Sequence, residues 1–133
     1  MKKYLLDTNI CIFYIKGKFA LDEKIIAVGV QNCFISEITV AELKYGIENS
    51  KTPEPMRMIV EAFISKFAIL PIFNALDTYA KEKANLRKTG MMIDDFDILI
   101  GSTAMANEMI MVTNNVSHFD RISNITIEDW TNM

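Results

Sequence analysis

The chain opens with Lys2-Lys3-Tyr4-Leu5-Leu6-Asp7-Thr8-Asn9, in which a short apolar run is followed directly by an acid. The apolar run predicts a buried strand, and the residues from Asn9 onward predict a helix. An open α/β sheet binds its ligands at the carboxyl ends of its strands, so Asp7 falls where such a fold does its chemistry. Asp is also a favoured N-cap residue, and for Asp7 alone capping is the simpler interpretation.

Apolar runs and helical patterns alternate along the rest of the chain. We predict strands at 2–6, 33–35, 67–72 and 109–112, with a last edge strand at 125–127. We predict helices at about 9–16, 21–31, 38–49 and 56–66, one capped by Asn74 that runs to Lys88, and one at about 95–107. This alternation is typical of a parallel sheet covered by helices on both faces, and 133 residues predict a single domain, 1–133.

The composition excludes several classes of function. A net charge of −3 argues against a protein that coats nucleic acid by bulk electrostatics, although an enzyme can still grip a phosphate backbone locally through metal ions. Two cysteines and one histidine argue against a zinc site. No stretch reaches the length of a membrane span, and Asp7 interrupts the signal-like start, so we expect no membrane association and a cytoplasmic location.

Two further acids lie in apolar surroundings. Glu42 belongs to a predicted helix whose apolar residues spread nearly all round it, so we expect a buried carboxylate. A buried carboxylate must pair with a cation, accept hydrogen bonds or stay protonated. For Glu42, an ion pair with a Lys or Arg, or simple exposure at one edge of the helix, is an equally good interpretation. Asp97 interrupts the apolar start of the helix at 95–107. Three acids that converge from distant segments indicate a site for a hard divalent cation.

The neighbours of Asp97 sharpen this interpretation. Asp94 and Asp95 are expected to be solvated first-turn acids, which the helix dipole stabilises. Like charges this close repel, however, so a cation near Asp97 explains their concentration better. Asn115 follows the fourth strand and could ligate a cation or simply favour a turn. His118, the single histidine, could shuttle a proton, but a solvated loop residue is the simpler expectation.

Taken together, these segments resemble the PIN-domain family, and more narrowly its VapC-like ribonuclease toxins of type II toxin–antitoxin pairs. The matching segments, in family order and spacing over essentially the whole chain, are Tyr4–Asn9, Ser36–Gly46, Leu86–Gly90 leading into Ile93–Ile100, and Val112–Asn115. The resemblance implies a three-layer α/β/α fold with a central parallel sheet of four to five strands. It also implies an endoribonuclease that uses Mg²⁺ or Mn²⁺, a homodimer, and a cognate antitoxin that lies along the active-site groove.

The resemblance also implies the site residues. Asp7, Glu42 and Asp97 match the family's acidic metal positions, and Asn115 falls where many relatives carry a fourth acid. The expected catalytic set is therefore Asp7, Glu42, Asp97 and Asn115, with the first three at the metal. The departure at Asn115 puts a second ion in doubt, and Asp94 is a candidate to compensate for it.

The chemistry of RNA phosphodiester hydrolysis suits these residue types. One or two Mg²⁺ ions lower the pKa of water and neutralise charge on the phosphate, and Mg²⁺ takes few protein carboxylates. We expect Asp7 and Asp97 to be direct ligands, and Glu42 to hold a coordinated water or a second ion. Thr8 or Thr113 would hydrogen-bond the acids and fix their rotamers.

Two other functions remain open at this point. The first is a phosphatase or phosphotransferase in which Asp7 is the nucleophile, although such sites usually place a second acid two residues on, where this chain has Asn9. The second is a non-catalytic binding module in which the acids only cap helices and pair with bases.

Overall fold

The sheet has five strands in a computed structural model that describes residues 1–132. They are β1 (Tyr4–Leu6), β2 (Cys33–Ser36), β3 (Ala68–Leu70), β4 (Ile110–Val112) and β5 (Ile127–Glu128). All are parallel, in the spatial order β3-β2-β1-β4-β5, so β1 lies at the centre between β2 and β4. The predicted fold, a parallel sheet of four to five strands within an α/β/α sandwich, is confirmed. Met133 lies outside the described residues.

Seven α-helices connect the described strands. They are α1 (Thr8–Ile15), α2 (Leu21–Val28), α3 (Glu37–Glu48), α4 (Pro53–Ile64), α5 (Leu76–Thr89), α6 (Asp95–Ala106) and α7 (Val116–Phe119). Short 3-10 turns occupy Val30–Asn32 and Phe73–Ala75. Along residues 1–132, no helix is both long and apolar enough to cross a membrane.

The two faces of the sheet carry separate hydrophobic cores. In β1, Tyr4 and Leu6 join a core with residues of α1 to α4, whereas Leu5 joins a second core with residues of α5 and α6. Successive side chains of a strand point to opposite faces, so the central strand contributes to both cores. The carboxyl end of β1, which Asp7 follows, is therefore held by packing on both faces of the sheet.

Some predicted helix ends are correct and others are wrong. Ser36 caps α3 by accepting from the backbone N–H of Ile38 at 3.0 Å, and Gly90, with φ of 69°, ends α5 as expected. The predicted cap at Asn74 is wrong, because Asn74 lies inside a 3-10 turn and Ala75 holds the N-cap position without a side-chain hydrogen bond. The second helix is shorter than predicted, because Gly29 adopts φ of 96° and ends it.

Candidate active site

Asp7 lies at the carboxyl end of β1, beside the end of β4. It is 4% exposed, and its backbone N–H continues the sheet by donating to the carbonyl of Val112 at 2.9 Å. Its Oδ1 accepts from the backbone N–H of Thr8 at 2.8 Å, so the predicted N-cap role exists. Its Oδ2 accepts from Thr113 Oγ1, also at 2.8 Å. Asp7 therefore caps α1, and its other carboxylate oxygen is bound to Thr113 at the end of β4.

Glu42 reaches the same edge from α3. Thr8 Oγ1 donates to Glu42 Oε1 at 2.6 Å and also lies 3.0 Å from Thr39 Oγ1. The sequence predicted a hydrogen-bonding role for Thr8 or Thr113, and both residues have one. Thr39, which is fully buried, was missed, although its position three residues before Glu42 on the same helix places both on one face.

The expectation that α3 is buried nearly all round is wrong. Only Thr39, Leu43 and Ile47 are buried, and Tyr45 is 68% exposed. Glu42 is consequently half-buried, at the boundary between the core stripe and the open side of the helix. The ion-pair alternative also fails, since among the ion pairs of residues 1–132 none involves Glu42.

Asp97 enters from the first turn of α6 and meets a polar pair after β4. His118 Nδ1 lies 3.7 Å from Asp97 Oδ2 and 2.8 Å from Asn115 Nδ2. The backbone N–H of Asn115 donates to Thr113 Oγ1 at 2.9 Å, which in turn donates to Asp7. The polar contacts thus run from Asp7 to Asp97, and His118 belongs to this network rather than being a solvated loop residue.

The two acids beside Asp97 differ in their surroundings. Asp94 is exposed at the N-cap position of α6 and makes no side-chain capping bond. Asp95, which was expected to be merely solvated, pairs with Lys83 Nζ at 2.8 Å and accepts from Tyr79 Oη at 2.8 Å. The hydrogen bonds from Lys83 and Tyr79 lower the pKa of Asp95. These contacts lie on α5, away from the network of Asp97.

The three predicted metal-site acids influence one another electrostatically. Burial raises the pKa of Asp7 to about 6, against the hydrogen bonds from Thr113 and Thr8, and the charges of Asp97 and Glu42 raise it further. Burial also raises the pKa of Glu42 and of Asp97, and the nearby charge of Asp94 adds to both. The structure therefore brings Asp7, Glu42 and Asp97 to one edge of the sheet.

The donor set suits a hydrated hard cation. Within residues 1–132, no three His, Cys, Asp or Glu side chains form a group that could hold an ion together, so three simultaneous protein ligands are not formed. Mg²⁺ contacts one or two carboxylates and keeps several waters, and such a site needs no group of three. Carboxylates with raised pKa values that repel one another become more favourable when a cation binds between them.

Comparison with known proteins agrees with this geometry. The PIN domain family matches residues 4–125. The chain is 36% identical to a tRNA(fMet)-specific endonuclease VapC of Shigella flexneri, over 98% of this chain and 100% of that protein. It is 38% identical to a ribonuclease VapC2 of Haemophilus influenzae, over 98% and 99% respectively. Among solved structures, it matches DNA-bound VapBC from Salmonella typhimurium with a TM-score of 0.91 and 37% identity, over 98% of this chain and 99% of that one.

The fold, the acidic strand edge and these matches define a class: the chain belongs to the PIN-domain family. The function predicted from the sequence, a ribonuclease that is the toxin of a toxin–antitoxin pair, is confirmed by its relatives. Nucleases of this kind are metal-dependent. This assignment favours the nuclease over a phosphotransferase with Asp7 as nucleophile and over a non-catalytic binding module.

Proposed function

We propose that the chain is a Mg²⁺-dependent endoribonuclease, with Mn²⁺ as a substitute, in which Asp7 and Asp97 hold the ion. The observation that carries this proposal is the group of acids at the end of β1, whose pKa values are raised by burial and by mutual repulsion. No lysine or arginine pairs with Asp7, Glu42 or Asp97 among the described residues, so a cation from solution is the natural partner.

The reaction is the hydrolysis of an RNA phosphodiester. The oxygen of a water molecule bonds to phosphorus, the bond from phosphorus to the leaving oxygen breaks, and that oxygen takes up a proton. A bound divalent ion lowers the pKa of water and neutralises charge that develops on the phosphate. Of the two carboxylate oxygens of Glu42, only Oε1 accepts a hydrogen bond from the described residues. Oε2 is therefore available to accept one from the attacking water.

Hydroxyl and amide groups position these acids. The bonds from Thr113 to Asp7 and from Thr8 to Glu42 hold each carboxylate in one rotamer. The side-chain Nδ2 of Asn115, the fourth proposed catalytic residue, is hydrogen-bonded to His118 Nδ1. Its Oδ1 is then available to accept a hydrogen bond from a water or from the substrate. An amide at this position carries no charge, so we expect one tightly held ion rather than two.

We propose tRNA as the substrate class. The relatives from Shigella flexneri and Salmonella typhimurium, 36% and 37% identical to this chain, are named tRNA(fMet)-specific endonucleases. They match 98% of this chain and nearly their own full length, so the matched region includes the whole active-site edge. The cytoplasm, where tRNA is found, is the proposed compartment.

We also propose that a cognate antitoxin inhibits the enzyme and that the toxin is a homodimer. Several solved relatives are VapBC complexes, including one from Rickettsia felis that is 33% identical, with a TM-score of 0.89. Between α1, α3 and α4 lies a pocket of about 210 Å³ whose lining includes Ile15, Leu43, Met56 and Val60, with Glu42 at its side. An apolar segment of an antitoxin that enters this pocket would block access to the acids.

Calorimetric titration with Mg²⁺ tests the proposed ion site directly. We expect the wild type to bind Mg²⁺ and Asp97→Asn to lose this binding, because the amide removes one charged ligand. Asp95→Asn is the matched control, since the same change two residues earlier on α6 removes an acid that pairs with Lys83 instead. Full RNA cleavage in excess chelator, or equal Mg²⁺ binding by Asp97→Asn, would contradict the proposal.

A further inference from the structure

An open groove of about 630 Å³ runs beside the acids, between α1, α3 and the start of α6. Its lining includes Thr8 and Glu42 of the site together with two aromatic residues, Tyr45 and Phe96. Tyr45 is 68% exposed and Phe96 is 43% exposed. Both rings therefore present apolar surface to solvent on the wall of the groove that contains a proposed catalytic acid.

Among the described residues, neither ring is paired with another aromatic ring or with a cation. The aromatic pairs of residues 1–132 are Tyr4–Trp130, Phe13–Phe19, Tyr14–Phe63 and Phe63–Phe67. Neither Tyr45 nor Phe96 belongs to one of them, nor to the cation–π contacts of the same residues. Exposed aromatic side chains gathered on one groove are typical of a binding surface.

The position of each ring along the chain ties it to a proposed catalytic acid. Tyr45 follows Glu42 by three residues on α3, so the two side chains share one face of that helix. Phe96 immediately precedes Asp97 in the first turn of α6. A polynucleotide whose phosphate lies at the acids would therefore have its neighbouring bases within the same groove as the two rings.

Charge points to the same ligand. The whole chain carries −3, and the acids Asp7, Glu42, Asp94 and Asp97 concentrate negative charge at this edge. A phosphate backbone gains little from such a surface apart from the bound ion, so bulk electrostatics cannot supply the affinity. Stacking of unpaired bases on aromatic side chains supplies affinity that does not depend on positive charge.

We propose that Tyr45 and Phe96 form a base-stacking surface that holds unpaired bases of the RNA next to the phosphate that is cleaved. This inference rests on the proposed function, because it takes the carboxylates as the place of cleavage. Bases inside a duplex are already stacked on each other and cannot enter the groove. The surface therefore directs the enzyme to single-stranded segments and loops of RNA.

The antitoxin is the competing occupant of this groove. An apolar protein segment fits better in the neighbouring pocket, which is lined by Ile15, Leu43, Met56 and Val60 and lacks an exposed aromatic ring. The groove of Tyr45 and Phe96 has the larger volume, about 630 Å³ against about 210 Å³, and Thr8 of the site lines it together with Glu42, which borders both cavities. We therefore assign the rings to RNA and leave the antitoxin as an outcome of the test.

Binding of two short ligands to the Asp7→Asn protein, which prevents turnover, tests the assignment by fluorescence anisotropy in Mg²⁺. One ligand is a uridine oligonucleotide of about 12 nucleotides, and the other is an abasic ribose-phosphate chain of equal length. Tyr45→Ala and Phe96→Ala are each expected to weaken uridine binding by about tenfold and to leave abasic binding unchanged. Tyr45→Phe and Phe96→Tyr should retain the affinity, because each keeps a ring.

Phe73→Ala provides the matched control, since Phe73 is 83% exposed and does not line the groove. In the otherwise wild-type enzyme, Tyr45→Ala should raise the RNA concentration for half-maximal cleavage by about tenfold while the maximal rate stays within about twofold. The inference fails if the alanine variants bind uridine as tightly as Phe73→Ala does. It also fails if they bind RNA normally and lose only the antitoxin.

The same experiments separate this inference from the function on which it rests. If the wild type cleaves RNA with Mg²⁺ while the aromatic variants behave like Phe73→Ala, the nuclease stands and the stacking surface is rejected. If the wild type cleaves no RNA in Mg²⁺ while uridine binding still depends on Tyr45 and Phe96, the proposed function is rejected and the surface remains a binding site for single strands.

Discussion

Asp95 and Asp97 stand two residues apart in the first turn of α6, yet their environments are opposite. Asp95 faces Lys83 and Tyr79 on the outside of the fold, and its pKa is lowered. Asp97 is half-buried, faces the acidic edge and His118, and its pKa is raised. Both acids gain similarly from the helix dipole. The difference between them therefore comes from their neighbours, and only Asp97 still lacks a full positive partner.

Glu82 shows that burial alone does not mark a functional acid. This carboxylate is 9% exposed, but it accepts from the backbone N–H of Ser123 at 3.0 Å and from its Oγ at 2.8 Å. Its hydrogen bonds tie α5 to the segment after α7 and satisfy its charge within the protein. A buried acid becomes a candidate for metal binding when its neighbours are other acids, as they are around Asp7.

The largest expected effect is on RNA cleavage by the two α6 variants. Asp97→Asn should reduce the cleavage rate by at least about 100-fold, because it removes a carboxylate that holds the ion. Asp95→Asn should stay within about twofold of the wild type, since its charge is neutralised by Lys83. Gel-based cleavage assays in Mg²⁺, with circular dichroism to verify folding, make the measurement. Equal losses in both variants would erase the distinction between the two acids.

The next effect is stabilisation by the ion itself. Mg²⁺ at about 100 times its dissociation constant should raise the free energy of unfolding of the wild type by about 2.7 kcal/mol. The gain should disappear in Asp97→Asn and persist in Asp95→Asn. Thermal unfolding followed with and without Mg²⁺ measures it for the three proteins. An identical upward shift in Asp97→Asn would mean that the ion binds elsewhere.

Much of the fold could be predicted from the sequence because its signals are local. Short apolar runs followed by polar residues mark β1 and β4. Ser36 begins α3 through its side chain, and Gly90 ends α5 through its backbone conformation. The cap predicted at Asn74 is wrong because Asn74 lies within the 3-10 turn that precedes α5. Local preference does not reveal which of two competing turns the packed chain will select.

The site could be predicted less completely, because its contacts join distant segments. Asp7 could be found from its position after a strand, whereas the contact of Thr39 with Thr8 depends on how α1 meets α3. His118 lies 21 residues after Asp97 in the chain, and only the packing of α7 against α6 brings them together. The prediction that α3 is buried nearly all round is wrong for the side that carries Tyr45, since hydrophobicity alone does not distinguish a buried face from one that lines a groove.

A smaller effect is expected on stability as a function of pH in chelator. The pKa of Asp7 is about 6 in the folded protein against an ordinary value of 3.8, so the folded state holds the proton more tightly. Stability should fall as pH rises from 3.8 to about 6, and above this window the penalty of the ionised group is at most about 3 kcal/mol.

Asp7→Asn removes this penalty, because the amide does not ionise. The variant should equal the wild type in stability near pH 4 and exceed it near pH 7, when urea unfolding is measured in chelator at both values. Glu42 and Asp97, whose pKa values are also raised, contribute with the same sign and remain in both proteins. If the wild type instead gains stability relative to Asp7→Asn as pH rises, Asp7 is stabilised in its ionised form and the electrostatic description is wrong.

The smallest effect separates a hydroxyl that positions a site acid from one that satisfies a structural acid. Thr113→Val removes the donor to Asp7 and Ser123→Ala removes a donor to Glu82, so each should lower the free energy of unfolding by about 1–2 kcal/mol. Only Thr113→Val should also lower the maximal cleavage rate, by about tenfold, because the rotamer of Asp7 is no longer fixed. Parallel urea unfolding and cleavage assays compare the two. An equal loss of cleavage in Ser123→Ala would show that general stability, and not the placement of Asp7, controls the rate.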